Sequence, residues 1–259
     1  MQYLIVIQYL AFLALFSLMY TLNIPSIEKY KANNEPWPWD SNPNLHKQEM
    51  KKMLKRTLIN IVIIGPGLGL LFFKLGFLRM SLDFKQLPTI SEFLFQFGFC
   101  FLMADFVFYW VHRLLHHPSL YQYWHKTHHE SKNTVAMSAL YVHPVEYILA
   151  DGLTSALGIM LMGTATHEIV LYTFILWQGC SNIDDHCGYD FPWMFTKIFP
   201  WSASNVFHNY HHLLNIGNFS AHMVWWDSIF ATNIEFLEHF EQQEKLKTDK
   251  REITRIRSY

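Results

Sequence analysis

Long apolar runs restrict this chain more than any other feature. Met1–Leu22 is almost wholly apolar, interrupted by Gln2, Gln8 and a few small polar residues. About 20 such residues suffice to cross the hydrocarbon of a bilayer, where backbone polar groups must be satisfied internally, so the stretch reads as a spanning helix. It has neither the basic start nor the small-residue cleavage site of a removable leader. Leu58–Phe73 is a second run, and Gly65, Pro66, Gly67 and Gly69 within it predict a kink. Ile90–Val111 is a third, carrying Glu92, Gln96 and Asp105 and leading without a breaker into His112, as far as Pro118. Val145–Thr164 and Ile169–Ser181 follow. The second of these is short, as re-entrant or interfacial segments are. Together they predict a hairpin that returns the chain to the face it left. The expected fold class is all-α, an integral membrane helical protein capped on its cytosolic side by a histidine-rich dimetal site.

The polar segments set the topology. Residues 23–56 hold seven Lys and Arg, 74–89 three, 112–144 three and 181–259 seven. Basic residues collect on the cytosolic side. That places 23–56 and the C-terminal region in the cytosol and the N-terminus in the lumen. Three crossings and a hairpin then bring 112–144 and 181–233 to one side. Pro25, Pro36, Pro38 and Pro43 break the first loop, and Trp37 and Trp39 lie either at the lipid boundary or in a surface loop. Lys47–Arg56 reads as a basic amphipathic helix lying on the membrane. The division expected is 1–89 for the N-terminal helices and basic loop, 90–233 for the catalytic part, and 234–259 for a charged, solvated tail. A net charge of −1 gives no field for nucleic acid. Cys100, Cys180 and Cys187 have no CxxC spacing, so reduced thiols are expected rather than a disulfide framework.

The polar chemistry is concentrated in histidine. Six of the 15 histidines fall within His112–His129, HRLLHHPSLYQYWHKTHH. His112 and His116 are four apart, and His125, His128 and His129 sit at i, i+3 and i+4. His208, His211 and His212 repeat that second spacing. Residues three and four apart share a helix face, so each cluster is expected to point its imidazoles one way. Neutral imidazole is the commonest transition-metal ligand, and one site needs only three or four. The three clusters with His186 supply nine, enough for two ions, and nitrogen donors exclude Ca²⁺ and Mg²⁺. Spacing does not choose among Fe, Zn, Cu and Ni. A metal pair between lipid and cytosol suits O₂ chemistry, which favours two irons over redox-inert zinc.

Around the nine, Asp105 shares a helix face with His112 and His116 and is expected to bond a histidine of another segment. His143 lies in a loop between clusters, and Asn182, four before His186, is placed to hold a metal-bound water. Asp184, Asp185, Asp190 and Asp227 are weaker carboxylates, each able to serve as a helix cap. His117 faces away, His167 falls at the lumenal turn, and His222 is a candidate for the outer shell. A haem cytochrome would place its histidines mid-membrane and a metal carrier would place polar ligands there, and only Asp105 approaches either pattern.

HRLLH, HKTHH and HNYHH resemble the HxxxH, HxxHH and HxxHH boxes of the fatty-acid hydroxylase/sterol desaturase superfamily. HRLLHHPSLYQYWHKTHHE, YVHPVE, DDHCGYDFPW, NIGNF and WWDSIF resemble stretches of its C-4 methylsterol oxidase branch, over about Phe95–Asn233. DHCGYD with HPVE also suits the cholesterol 25-hydroxylase branch. The resemblance implies an endoplasmic-reticulum di-iron monooxygenase that activates O₂ and takes electrons from NAD(P)H through cytochrome b5 and its reductase. Its substrate would be a sterol whose C-4 methyl is oxidised stepwise toward a carboxylate. It also implies His112, His116, His125, His128, His129, His208, His211 and His212 as box ligands and His186, of the H-x-G-Y segment, as a ninth. The chain departs from the family at Ala231–Thr232–Asn233, where GTD is usual. RIRSY carries no dilysine signal, and no fused cytochrome b5 motif is seen.

Overall fold

The computed structural model describes residues 2–243 and 245, apart from 34, 84, 198 and 200. The described residues form helices and no strand. Gln2–Leu22 is α1. Pro43–Ile59 (α2) runs through a wide turn at Asn60–Ile64 into Gly65–Lys74 (α3). Ile90–Leu115 is α4, and Thr154–Met162 is α5, entered through Pro144–Glu146 and a second wide turn at Tyr147–Leu153. Glu168–His186 is α6, Asn205–Leu214 is α7 and Trp225–Ile229 is α8. Four stretches are long and apolar enough to cross a membrane: Ile5–Leu22, Pro43–Lys74, Ile90–Leu115 and Pro144–Ala165. The returning limb of the hairpin, α6, is not among them, because its second half carries Gln178, Asn182, Asp184 and Asp185.

Start signals in the sequence place the longest helix. Thr89 accepts a hydrogen bond from the Glu92 amide and Glu92 bonds back to the Thr89 amide, a capping box that opens α4. α4 packs closely on α5 because residue 158 is glycine, where a Cβ would stand 2.7 Å from Cys100 Cα. α1 turns Tyr9, Leu13 and Phe16 toward the core with Ile183 of α6. Gln8, one of the few polar residues of that run, donates to the Leu176 carbonyl of α6 at 2.7 Å. A polar group in lipid thus finds its partner on a neighbouring helix.

Two ends result. At one, Ser81 exchanges backbone hydrogen bonds with Thr166 and Glu168, so the 74–89 loop meets the tip of the hairpin. At the other, the Ala32 amide bonds the Gly188 carbonyl and Asn33 bonds Asn209, bringing the first loop onto the end of α6 and onto α7. The loop grouping expected from the basic residues is the grouping observed.

Three local expectations are corrected. The basic helix at Lys47–Arg56 is no separate surface helix but the first part of the continuous Pro43–Lys74 run. The kink falls at the wide turn immediately before Gly65–Pro66, where proline removes a backbone donor. Trp37 is buried at 5% exposure, stacked on Trp39 and against Tyr20 and Tyr189, with its indole N–H on Glu28. It packs within the protein rather than at a lipid boundary. The tail agrees with expectation over residues 234–243, a helix exposed at every position but Phe236, which packs on Phe207 and Tyr210 of α7. Residues 246–259, including RIRSY, lie outside the described residues.

Candidate metal centre

Nine imidazoles converge in two adjoining groups. His112, His116, His125, His129 and His211 form one, and His128, His186, His208 and His212 the other, with the ligand atoms of each group within 4.8 Å of one another. In the first, Nε2 of His116 is 3.1 Å from that of His211 and 2.9 Å from that of His125, and His125 is 3.0 Å from His129. In the second, His186 Nε2 is 3.3 Å from His128 and 3.0 Å from His208, which is 3.1 Å from His212. The groups touch through the stacked rings of His129 and His212, whose centroids are 4.7 Å apart.

The sequence clusters do not map onto these groups one to one, which corrects the expectation that each cluster points one way. His125 ends a wide turn, Tyr121–His125, and His128 and His129 lie in a tight turn, His128–Glu130. The i, i+3, i+4 rule of a regular α-helix therefore fails there, and adjacent rings diverge. His208, His211 and His212 do lie on a regular helix, α7, yet that helix runs between the two groups and serves both.

The orienting contacts come mostly from outside the clusters. His112 Nδ1 is 2.8 Å from the Phe219 carbonyl and His211 Nδ1 is 2.6 Å from the Gly217 carbonyl. His186 Nδ1 is 2.7 Å from the Asn182 carbonyl. His125 Nδ1 is 2.7 Å from Glu146 Oε1, with both side chains buried. With Nδ1–H donating, each of these rings presents a lone pair at Nε2. Burial, and after it neighbouring imidazoles, holds His116, His125, His128, His129, His208, His211 and His212 below the usual histidine range. Burial brings His186 to about 4, against the opposing pull of the Asn182 carbonyl. Neutral imidazole is the form that binds metal.

The loop that supplies two of those carbonyls is tightly built. Asn215, Gly217 and Asn218 all take positive φ, and a Cβ at Gly217 would meet the Thr232 carbonyl at 2.1 Å. Asp227 accepts the Phe219 and Ser220 amides at 2.8 Å each. Asp105 accepts the His222 and Met223 amides and the Trp225 indole N–H. Asp105 therefore bonds backbone and indole rather than an imidazole, because it sits two turns below His112, level with the returning loop. It supports the site at one remove.

The other expected residues have other places. His143 caps the helix that follows it, accepting the Val145 amide. Asn182 acts on His186 through its carbonyl, while its side-chain amide turns to Asp151 Oδ1 at 3.2 Å. His117 and His167 cap the starts of Pro118–Leu120 and α6. His222 is buried between Phe101 and Trp177 and bonds Ser181. Asp184 accepts the Thr196 hydroxyl, and Asp190 pairs with Lys197. Glu146 was given no role by spacing, although a carboxylate within an apolar run is itself a signal.

A cavity of about 490 Å³ lies between α3, α5 and α6 and reaches His186 and His208. Leu68, Phe72, Phe108 and Ile175 give it largely apolar walls.

These features describe a membrane helical protein with a buried double polyhistidine centre beside an apolar cavity. A model of the fatty acid hydroxylase family matches residues 97–232, and the chain belongs to that family. It is 31% identical over 225 residues to methylsterol monooxygenase 1 of Gallus gallus, covering 86% of this chain and 72% of that protein. It is 35% identical over 149 residues to the C-4 methylsterol oxidase erg25 of Schizosaccharomyces pombe, covering 56% and 49%. It is 38% identical over 150 residues to methylsterol monooxygenase 2-2 of Arabidopsis thaliana, covering 57% and 55%. No solved structure matches the chain.

Proposed function

We propose that this chain is a di-iron, O₂-dependent sterol monooxygenase that oxidises the C-4 methyl group. The observation that carries this reading is the pair of neutral polyhistidine groups meeting an apolar cavity through His186 and His208. The names of the relatives supply the sterol and the carbon. All nine histidines are assigned as metal ligands, five to one ion and four to the other.

The donor set fits two metal ions. Lone pairs of neutral imidazoles repel, yet in six neighbouring pairs the Nε2 atoms stand 2.9–3.3 Å apart. Two nitrogens each about 2.1 Å from one ion, at right angles, would lie about 3.0 Å from each other. A cation among them turns that repulsion into shared attraction.

Iron, when bound, supplies the activation of O₂ and the abstraction of hydrogen from an unactivated C–H. The chain does the rest. The carbonyls of Phe219, Gly217 and Asn182 and the Glu146 carboxylate fix ring tautomers and directions. The cavity walls hold the sterol and exclude water from the reacting face. Leu68 and Phe72 come from the N-terminal part, so residues 1–89 form a wall for the catalytic unit at 90–233. Electrons come from NAD(P)H through cytochrome b5 and its reductase. The setting is the endoplasmic-reticulum membrane with the histidine centre toward the cytosol, consistent with the seven Lys and Arg in residues 23–56 at that end.

Sterol profiling of cells lacking the protein, with iron analysis by Mössbauer spectroscopy, tests the reading. 4-Methylsterols should accumulate, and the chain carrying His128→Ala or His211→Ala should insert but not restore turnover. Unchanged sterols, full activity in either variant, or stoichiometric zinc in an active preparation would overturn it.

A further inference from the structure

The cavity runs along one face of α6, and that face is polar only in places. Leu171, Ile175, Gln178, Asn182, Asp185 and His186 line it, at spacings that keep them on one side of a helix. From Glu168 to His186 the helix extends about 27 Å, on the scale of a sterol with its side chain. The middle is apolar. The part next to the histidines is not. Asp151 and Ser155 face Gln178 and Asn182 across the cavity, with the Ser155 hydroxyl 2.5 Å from Gln178 Oε1 and Asn182 Nδ2 3.2 Å from Asp151 Oδ1.

Asp185 stands apart in this set. It is 7% exposed, lines the cavity, and precedes His186 in the chain. Among the described residues no hydrogen bond reaches its carboxylate, whereas neighbouring Asp184 accepts from Thr196. A buried carboxylate without a partner is costly. A ligand hydroxyl donated into the cavity would supply the missing bond.

We propose that Asp185 binds the hydroxyl of the substrate next to the carbon that is oxidised, so that the substrate enters hydroxyl end first. This deepens the sterol reading above and rests on it. In a 4-methylsterol the hydroxyl is on C-3, adjacent to C-4. A hydroxyl held at Asp185 therefore brings the C-4 methyl toward His186 and His208, and the apolar body lies along Ile175 and Leu171. A lipid oxidised at its apolar tail would press hydrocarbon against Asp185 and leave the carboxylate unpaired. Asp185 is thus a specificity-determining residue, selecting which end of an amphipathic molecule meets the metal centre.

The test compares binding of a tritiated 4-methylsterol and its 3-deoxy analogue to the purified full chain in nanodiscs, with metal content, and turnover with NADPH, cytochrome b5 and its reductase added, measured on the same samples. Wild type should bind the hydroxylated compound about 10- to 100-fold more tightly, the range for leaving a buried polar group without its hydrogen bond. Asp185→Leu should bring the two within about threefold, and Asp185→Asn, which can still hydrogen-bond, should keep most of the preference. The wild-type comparison and Asp185→Asn decide the proposal even where Asp185→Leu fails to fold. Equal binding of the two compounds by wild type, or an unchanged preference in Asp185→Leu, would overturn the proposal. Equal binding with turnover of the 4-methylsterol would leave the sterol-oxidation reading standing. Hydroxyl-selective binding without any turnover in the metal-loaded chain would instead defeat that reading alone.

Discussion

The Glu146 carboxylate meets the His125 imidazole at 2.7 Å, and both side chains are buried. The pair links the first turn of the hairpin to the five-histidine group. Glu146→Leu should leave His125 Nδ1 unpaired and lower metal affinity of that group about 10- to 100-fold. Metal titration followed by inductively coupled plasma analysis reads this, and full loading at unchanged affinity would remove Glu146 from the site.

His128 and His129 are neighbours in the chain but belong to different groups. His128→Ala should lower occupancy in the four-histidine group and His129→Ala in the five-histidine group. Mössbauer spectra of the two variants should then lose different components. Identical losses would mean that the division into two groups is wrong.

Asp105 gathers three donors from the loop that returns past the metal centre. Asp105→Leu strands the His222 and Met223 amides and the Trp225 indole, at a cost of about 3 kcal/mol. Thermal unfolding in detergent should show a lowered midpoint before any question of catalysis arises. A variant as stable as wild type would contradict this role.

Ala231 takes φ +54, a left-handed conformation that favours glycine. A Cβ in that conformation is strained, so Ala231→Gly should stabilise the fold by about 0.5–1 kcal/mol. A small rise in the unfolding midpoint is expected, and a fall would show that the alanine methyl contributes packing that outweighs the strain.

Acid should act on the metal-free chain in a defined window. Unfolded histidine takes its proton near pH 6.5, whereas buried His186 stays neutral until about 4. Between those values the unfolded state binds more protons, so stability falls as pH drops from roughly 6.5 toward 4 and is unaffected by this group above 6.5. The other buried imidazoles shift in the same direction. Chelator-treated protein should show an unfolding midpoint that declines across that window, and a flat profile would contradict the burial of neutral rings.

Much of this protein was legible without coordinates because its constraints are local. Apolar runs of Met1–Leu22 and Ile90–Val111 announce helices through length alone, since lipid offers no other partner for the backbone. Basic residues sort the loops onto two ends, and the hydrogen bonds of Ser81 and Ala32 fall as that sorting requires. The density of histidine, together with His186, marks which side chains converge. Trp37 was misplaced because an aromatic near proline looks the same at a membrane surface and inside a folded cap, and Lys47–Arg56 because its charge pattern does not show that its helix runs on to Lys74.

The sequence by itself determined a helical membrane chain with nine histidines fit for two metals, because helix length, charge bias and ligand type are read residue by residue. Tertiary structure alone decided how those histidines divide, with His128 and His129 parting at a tight turn and α7 lying between the groups. It also decided that Glu146 and the Phe219, Gly217 and Asn182 carbonyls aim four of the rings. Ring direction depends on backbone geometry and on partners up to 107 residues away. A spacing rule that assumes one regular helix contains neither.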